Sequence, residues 1–564
     1  MKKQILSVLL AIAILSSVAC SNSKKETSQS SSIVSSELSK IETTSAQKPE
    51  TSEAPAETTA AAETSENASS GPVLTTLSNQ TNREKNQYDL HVSLDDTNKT
   101  LKVDQKLKYV NNTGADLDEV YFNVIPAAFS KNGGNVSFDS VQANGKALSM
   151  DNVQETVYKI KLDTPLKKGE SLDLDMQYTL TIPGIANRYS YVKECYNLGN
   201  FIATPALYEN GNWLVQPYID IGDAFYTEIS DYRVKIDVPE GYTVCASGTL
   251  KDGVYEASDM RDFAFSAAKD LKELTEKHED CTIHVYYSEA CQYQAETVMK
   301  SAKESLELFN KTLGKYPYES LSLMLCSVAD DIGGMEYPGM ILLQTHNHQD
   351  ILYKYVNGLI SDNEIINEIE KGELELGLPG GLDGEPLKGD ELKNEILTTT
   401  SGLNITTAHE IAHQWFYGIV GNDEIRHAWL DEGFARFFDH YYAEKCMPEL
   451  DSERFGIGQL IGVNQYYTDQ FNGKTSGDMY ADLNKSIYDY RTQPLDYWDI
   501  YEKGGALLAK FYYDLGEDAF VKAMKEYVQT FAFSEVDPDE FKDFWSKKGN
   551  FEEVFKIYFQ KSAN

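Results

Sequence analysis

The seven cysteines of this chain include no pair spaced C-x-x-C, which argues against a cysteine-built metal site. Cationic charge is also scarce. There are 51 Lys and Arg against 88 Asp and Glu, for a formal net charge of −37. Such a surface repels phosphate backbones and anionic headgroups, so nucleic acid is excluded as a partner. The ordinary use of that charge is solubility. Long apolar runs are missing too. The run from Ile5 to Leu15 is too short to cross a bilayer, and no later stretch is long and apolar enough. No internal repeat is visible.

What is present begins with an address. Lys2 and Lys3 precede the short apolar run, and Ser17-Val18-Ala19-Cys20 follows it. This reads as a signal peptide. A Cys in that place resembles the lipobox of bacterial lipoproteins, with Ser17 where Leu is usual. The resemblance implies lipidation at Cys20, export, and a membrane anchor with the protein facing outside the cell. The signal peptide is expected over 1–20. Residues 21–75 are rich in Ser, Thr, Glu, Ala and Lys and poor in large apolar residues. They cannot offset their ordering entropy by burial and read as a flexible tether. The six other cysteines form disulfides or remain buried thiols; sequence gives no pairing.

The body is long enough for two or three domains. Period-2 stretches such as Leu101–Tyr109 and Tyr232–Val238 alternate with turn signals such as Asn111-Asn-Thr-Gly114. They predict an N-terminal all-β sandwich domain over 76–270. From 271 to 564 helical patterns dominate, for example Thr297–Leu313, around a short β run at Leu321–Val328. This predicts a mainly α domain with a small β-sheet. Residues 349–400 are acidic, with Gly and Pro between 377 and 389, and read as a partly helical surface insertion.

The chemistry concentrates in Thr407-Ala-His409-Glu410-Ile-Ala-His413-Gln-Trp-Phe416. Apolar residues at helical spacing make this a buried helix. Its two His, four apart, lie on one face and reach one cation. Glu410 can reach a water on the open side. Catalytic zinc usually keeps three protein ligands and one exchangeable position. Glu432, after eighteen intervening residues, sits among Trp429, Leu430, Phe434 and Phe438. A buried carboxylate there needs a strong partner, so Glu432 is the candidate third ligand of one zinc ion. Asp439 lies near the same helical face. It either fixes the tautomer of a ligand His or forms a plain salt bridge. His346 and His348 read as exposed loop residues, and His427 and His440 as structural ones.

HEIAHQWF, the eighteen-residue spacing and WLDEGFA resemble the zinc site of the aminopeptidase N family, gluzincins that include leukotriene hydrolase. Gly333-Gly334-Met335-Glu336-Tyr337 resembles that family's G-[AG]-M-E-N segment, with Tyr337 in place of Asn. Tyr501 in Tyr501-Glu502-Lys503-Gly504 resembles its transition-state tyrosine. The resemblance implies a thermolysin-like catalytic domain and a chain without the large helical C-terminal domain of longer relatives. It further implies that Glu336 binds a substrate's free α-amine, that Gly333, Gly334 and Met335 border the peptide backbone, and that Tyr501 supports the oxyanion. The expected activity is then a zinc aminopeptidase trimming peptides with a free N-terminus. The alternatives are a zinc endopeptidase using the same site, or an inactive zinc-containing surface binding protein.

Overall fold

The computed structural model describes residues 77–79, 81, 83–328, 333–345, 350–370, 389–473 and 481–559. Cys20, the signal segment and the tether lie outside the described residues, as do His346 and His348.

Alternation builds the first domain. In Asn86–Asp95 every second side chain is buried, Leu90 and Val92 among them. Successive side chains of a strand face opposite ways, so this pattern gives the sheet one core face. The strand pairs antiparallel with Thr100–Val110, Val92 opposite Val103, and parallel with Ser230–Asp237, Leu90 opposite Val234. These three lie centrally in an eight-stranded sheet. Two four-stranded sheets complete the all-β sandwich. Two hairpins of the large sheet turn at Asn144-Gly145 and Asp252-Gly253, where both residues have positive φ. That conformation matches the right-handed strand twist and selects Asn, Asp and Gly.

The second domain opens with a five-stranded sheet. Its strands run in the order Lys272–His278, Cys281–Tyr287, Ser320–Cys326, Met340–Gln344 and Gly334–Met335. Cys281–Tyr287 and Ser320–Cys326 are parallel, joined by the helix Gln292–Leu313. All seven residues of Ser320–Cys326 are buried, as expected of a strand covered on both faces. Around the sheet lie three long helices that matter for the site: Gly389–Ala412, Trp429–Cys446 and Asp499–Leu515, here the histidine, glutamate and tyrosine helices. The architecture is thus an N-terminal β sandwich followed by a mainly α domain with a small sheet.

The acidic stretch departs from a simple insertion. Asp350–Val356 and Asp362–Glu370 are helical, 371–388 lie outside the described residues, and 389–400 are the first half of the histidine helix. The expected boundary at 400 therefore falls inside a continuous helix. Leu392 and Ile396, one turn apart, join Leu352 and Ile365 in a small apolar cluster separate from the main core. The sparse apolar residues of 389–404, interrupted by Thr, Asn and Gly402, hide this helix from a periodicity reading.

Arg261 fastens the two domains. Its side chain is 2% exposed. It donates to Tyr417 O (2.8 Å), Thr227 O (3.2 Å), Ser534 O (2.8 Å) and the Glu535 carboxylate (2.8 Å). Among the described residues no helix is long and apolar enough to cross a membrane.

Candidate metal centre and substrate cleft

Three helices bring the donors together. His409 and His413 follow one another by a helical turn, and His413 N still donates to His409 O (3.2 Å) just past the end of the helix at Ala412. Glu432 lies in the first turn of the glutamate helix. A Cβ on Gly433 would sit 2.6 Å from Gly504 Cα, so only a glycine pair lets the glutamate and tyrosine helices cross this closely. That crossing brings Tyr501 to Glu432, to which its hydroxyl donates.

The donor atoms form a nearly equilateral triangle. His409 Nε2 is 3.2 Å from His413 Nε2 and 3.3 Å from Glu432 Oε2, and His413 Nε2 is 3.2 Å from Glu432 Oε2. The far ring nitrogens are occupied elsewhere. His409 Nδ1 meets Asp439 Oδ2 (2.9 Å), and His413 Nδ1 meets Phe416 O (3.0 Å). Since a carbonyl only accepts, His413 Nδ1 carries the proton, and a neutral ring then presents its Nε2 lone pair to the triangle. Three buried donors facing one another repel unless a cation lies between them. In the absence of a metal that cation is a proton: burial alone lowers the pKa of His409, but Asp439 and Glu432 lift it to about 9. Nitrogen-rich ligation with one carboxylate fits zinc. His409, His413 and Glu432 are also the one group of three or more His, Cys, Asp or Glu among the described residues whose ligand atoms converge tightly enough to hold a metal ion.

Asp439, one of two sequence readings, does reach the His409 ring. Arg436 holds it in turn (3.3 Å) and also binds Glu502 (2.8 Å). Although burial works against ionisation, Arg436, His440 and His409 keep the Asp439 carboxyl below its ordinary pKa. The Tyr501 ring stacks on His409 at 5.8 Å and 17°. Burial, then Glu432, push its hydroxyl well above the ordinary tyrosine pKa, so it remains a donor. His440 donates through Nδ1 to Phe455 O (2.6 Å), away from the triangle.

Glu410 is 5% exposed, and its Oε2 has no hydrogen-bond partner among the described residues. Burial raises its pKa to about 7, opposed by the two His. Gly334 lies directly against it, where a Cβ would collide with the Glu410 carboxyl. Gly334 and Met335 pair with Leu343 and Leu342, and Gln344 N donates to Gly333 O (2.9 Å). This edge strand carries Glu336 into the cleft. Glu336 is 5% exposed and makes no side-chain ion pair among the described residues. Burial, then Asp223, hold its pKa well above the ordinary range.

Sequence reasoning missed several neighbours. Gln414, directly after the second His, donates to Glu336 O (3.4 Å) and Tyr337 O (3.3 Å) and accepts from Gly339 N (2.8 Å). It fixes the turn that bears Glu336, and its adjacency to the motif was the available signal. Tyr337 turns away into the β domain. Its hydroxyl donates to Asn200 Oδ1 (3.3 Å), and Asn200 Nδ2 donates to Asp262 Oδ2 (2.9 Å). Its ring lies where a side chain on Gly199 would go. Arg188 and Asp223 form a buried ion pair, with Arg188 5.2 Å from the Phe225 ring. Nothing in the local sequence marks either residue.

Comparison with known proteins agrees with this geometry. Residues 391–559 match the Peptidase family M1 domain. Aminopeptidase M1-B of Oryza sativa subsp. japonica is 28% identical over 165 residues, 28% of this chain and 17% of that protein. Membrane alanyl aminopeptidase of Manduca sexta is 30% identical over 132 residues, 23% of this chain and 13% of that protein. The chain thus matches under a fifth of the length of these relatives. An M1 zinc metallopeptidase from Deinococcus radiodurans shares the fold, with a TM-score of 0.51 at 16% identity over 85% of this chain and 94% of that one. The match to the Peptidase family M1 domain at 391–559 contains His409, His413 and Glu432, the three residues that converge as candidate metal ligands, and the likeness of fold extends through the β domain.

Proposed function

We propose that the chain is a zinc aminopeptidase that removes N-terminal residues from peptides outside the cell. The observation that carries this reading is Glu336, a buried carboxylate beside the metal triangle with no ion-pair partner among the described residues. Burying such a group is costly unless it is paired. A substrate's α-ammonium supplies the missing charge and returns Glu336 to its ionised form. Held there, a peptide presents its first carbonyl to the triangle, and internal bonds stay out of reach. A mutant of an M1 zinc metallopeptidase from Deinococcus radiodurans, a neighbour in fold, has been crystallised with a Tyr-Ser-Ala substrate.

His409, His413 and Glu432 would hold the zinc, with Asp439 and Phe416 O orienting the two rings. When bound, zinc supplies Lewis acidity at the scissile carbonyl and lowers the pKa of water. Glu410 accepts the proton of the attacking water at its unpartnered Oε2 and returns one to the leaving amine. The Tyr501 hydroxyl shifts from Glu432 to the developing oxyanion. Gly333 and Gly334 leave room for the peptide backbone. The lipid anchor at Cys20 and the extracellular setting rest on residues 1–75 alone. Replacing Cys20 by Ser should release the protein from membranes.

The test compares amino-acid release from a free-amine peptide and from its N-acetylated twin. Release from the free peptide alone is expected. Equal cleavage of both at internal bonds would make the enzyme an endopeptidase. No cleavage of either by the metal-loaded protein would leave a binding protein.

A further inference from the structure

We propose that Trp498, with Leu495 beside it, forms an apolar shelf for the side chain of the residue that follows the cleaved bond. This rests on the aminopeptidase reading and extends it to specificity on the leaving side.

Pro494–Trp498 is a short 3₁₀ helix leading into the tyrosine helix. Residues three apart eclipse in a 3₁₀ helix, so Leu495 and Trp498 share one face. That face is open: Leu495 is 81% exposed and Trp498 37%, while Tyr497 is 2% exposed. Single exposed apolar residues are ordinary, but adjacent large ones at a cleft mark a binding surface. Tyr497 anchors the segment. Its ring packs against Gly222 of the β domain, where φ is +57° and any Cβ would collide with the ring. The shelf is therefore held by both domains.

Its position follows from the rings. Trp498 lies 5.2 Å from Tyr501, tilted by 40°, and Tyr501 in turn stacks on His409. The order His409, Tyr501, Trp498 runs outward from one corner of the triangle. Glu336 belongs to the other corner. Gln414, next to His413, binds the Glu336 carbonyl, and Glu336 acts electrostatically on His413. A peptide with its ammonium on Glu336 and its first carbonyl at the triangle must cross from the His413 side to the His409 side. Its second residue then emerges against Trp498.

The experiment uses the metal-loaded full chain with Ala-Phe-amide and Ala-Gly-amide. The expected kcat/KM ratio favours Phe by about 5- to 10-fold, the range of one aromatic contact. Trp498→Ala should bring that ratio to about 1–2, Trp498→Phe should keep most of it, and Leu495→Ala should reduce it by about half. The ratio is insensitive to the fraction of folded enzyme. A wild-type ratio retained in Trp498→Ala, or no preference in the wild type, would overturn the proposal. Equal cleavage of the N-acetylated peptides would defeat the aminopeptidase reading alone, because the ratio still reports the residue after the cut. If nothing is turned over, calorimetric Kd values for the two peptides on Glu410→Gln, with and without Trp498→Ala, give the same ratio and decide the shelf.

Discussion

The two walls of the cleft are built from different kinds of sequence information. On the metal side, His409 and His413 share a helical turn, and Glu410 stands between them. Glu432 and Asp439 follow on the next long helix. On the facing side, Arg188, Asp223 and Asn200 come from loops of the β domain and meet only through tertiary folding. The metal wall is written in short spacings, which a helix converts into convergence. The facing wall depends on pairings between residues tens of positions apart. The first wall carries the chemistry, and the second fixes where the substrate-facing segments sit.

That contrast can be broken by substitution. The largest effect should come from the metal wall. Glu410→Gln should lower kcat by roughly 10²–10⁴-fold, the usual worth of a general base, with bound metal unchanged by elemental analysis. On the facing wall the loss should appear in stability first. Arg188→Ala leaves Asp223 buried without its partner and should cost about 3–5 kcal/mol, measured by urea unfolding. A variant that unfolds like the wild type would show the pair to be dispensable. The pH profile sharpens the account of Glu410. A base must be ionised, so kcat/KM should rise with pH and fall about tenfold per unit below the Glu410 pKa. Burial raises that pKa above the ordinary value near 4.5, while a bound divalent cation opposes the rise, so an acid limb lying below about pH 4 would contradict the burial argument. The smallest effect belongs to Tyr337→Phe. Losing the bond to Asn200 should cost about 1 kcal/mol, with kcat/KM within twofold of wild type, because the hydroxyl is spent on Asn200 and touches none of the candidate catalytic side chains among the described residues.

The difference between the walls also explains what could be read in advance. Strand alternation in 86–110 and 230–237 exposed the sandwich, since one buried face leaves a period-2 trace. The convergence of His409, His413 and Glu432 was legible because i, i+4 spacing and an apolar setting are local properties. The start of the histidine helix at Gly389 was hidden, since its first half packs on a small satellite cluster rather than the main core. Tyr337 was visible as a substitution within the resemblance, but its direction was not. Only the space at Gly199 and the acceptor on Asn200 show why the ring turns away. Nothing in the local sequence marks Trp498, and only the ring contacts from His409 through Tyr501 relate it to the metal triangle.

The central claim is that His409, His413 and Glu432 converge on one metal ion. Elemental analysis of the purified chain, beside Glu432→Ala and His413→Ala, tests it most directly. The account predicts one zinc per wild-type chain, and strong depletion in both variants while their circular dichroism stays native. Zinc retained at full stoichiometry in either variant would place the metal elsewhere and contradict the account.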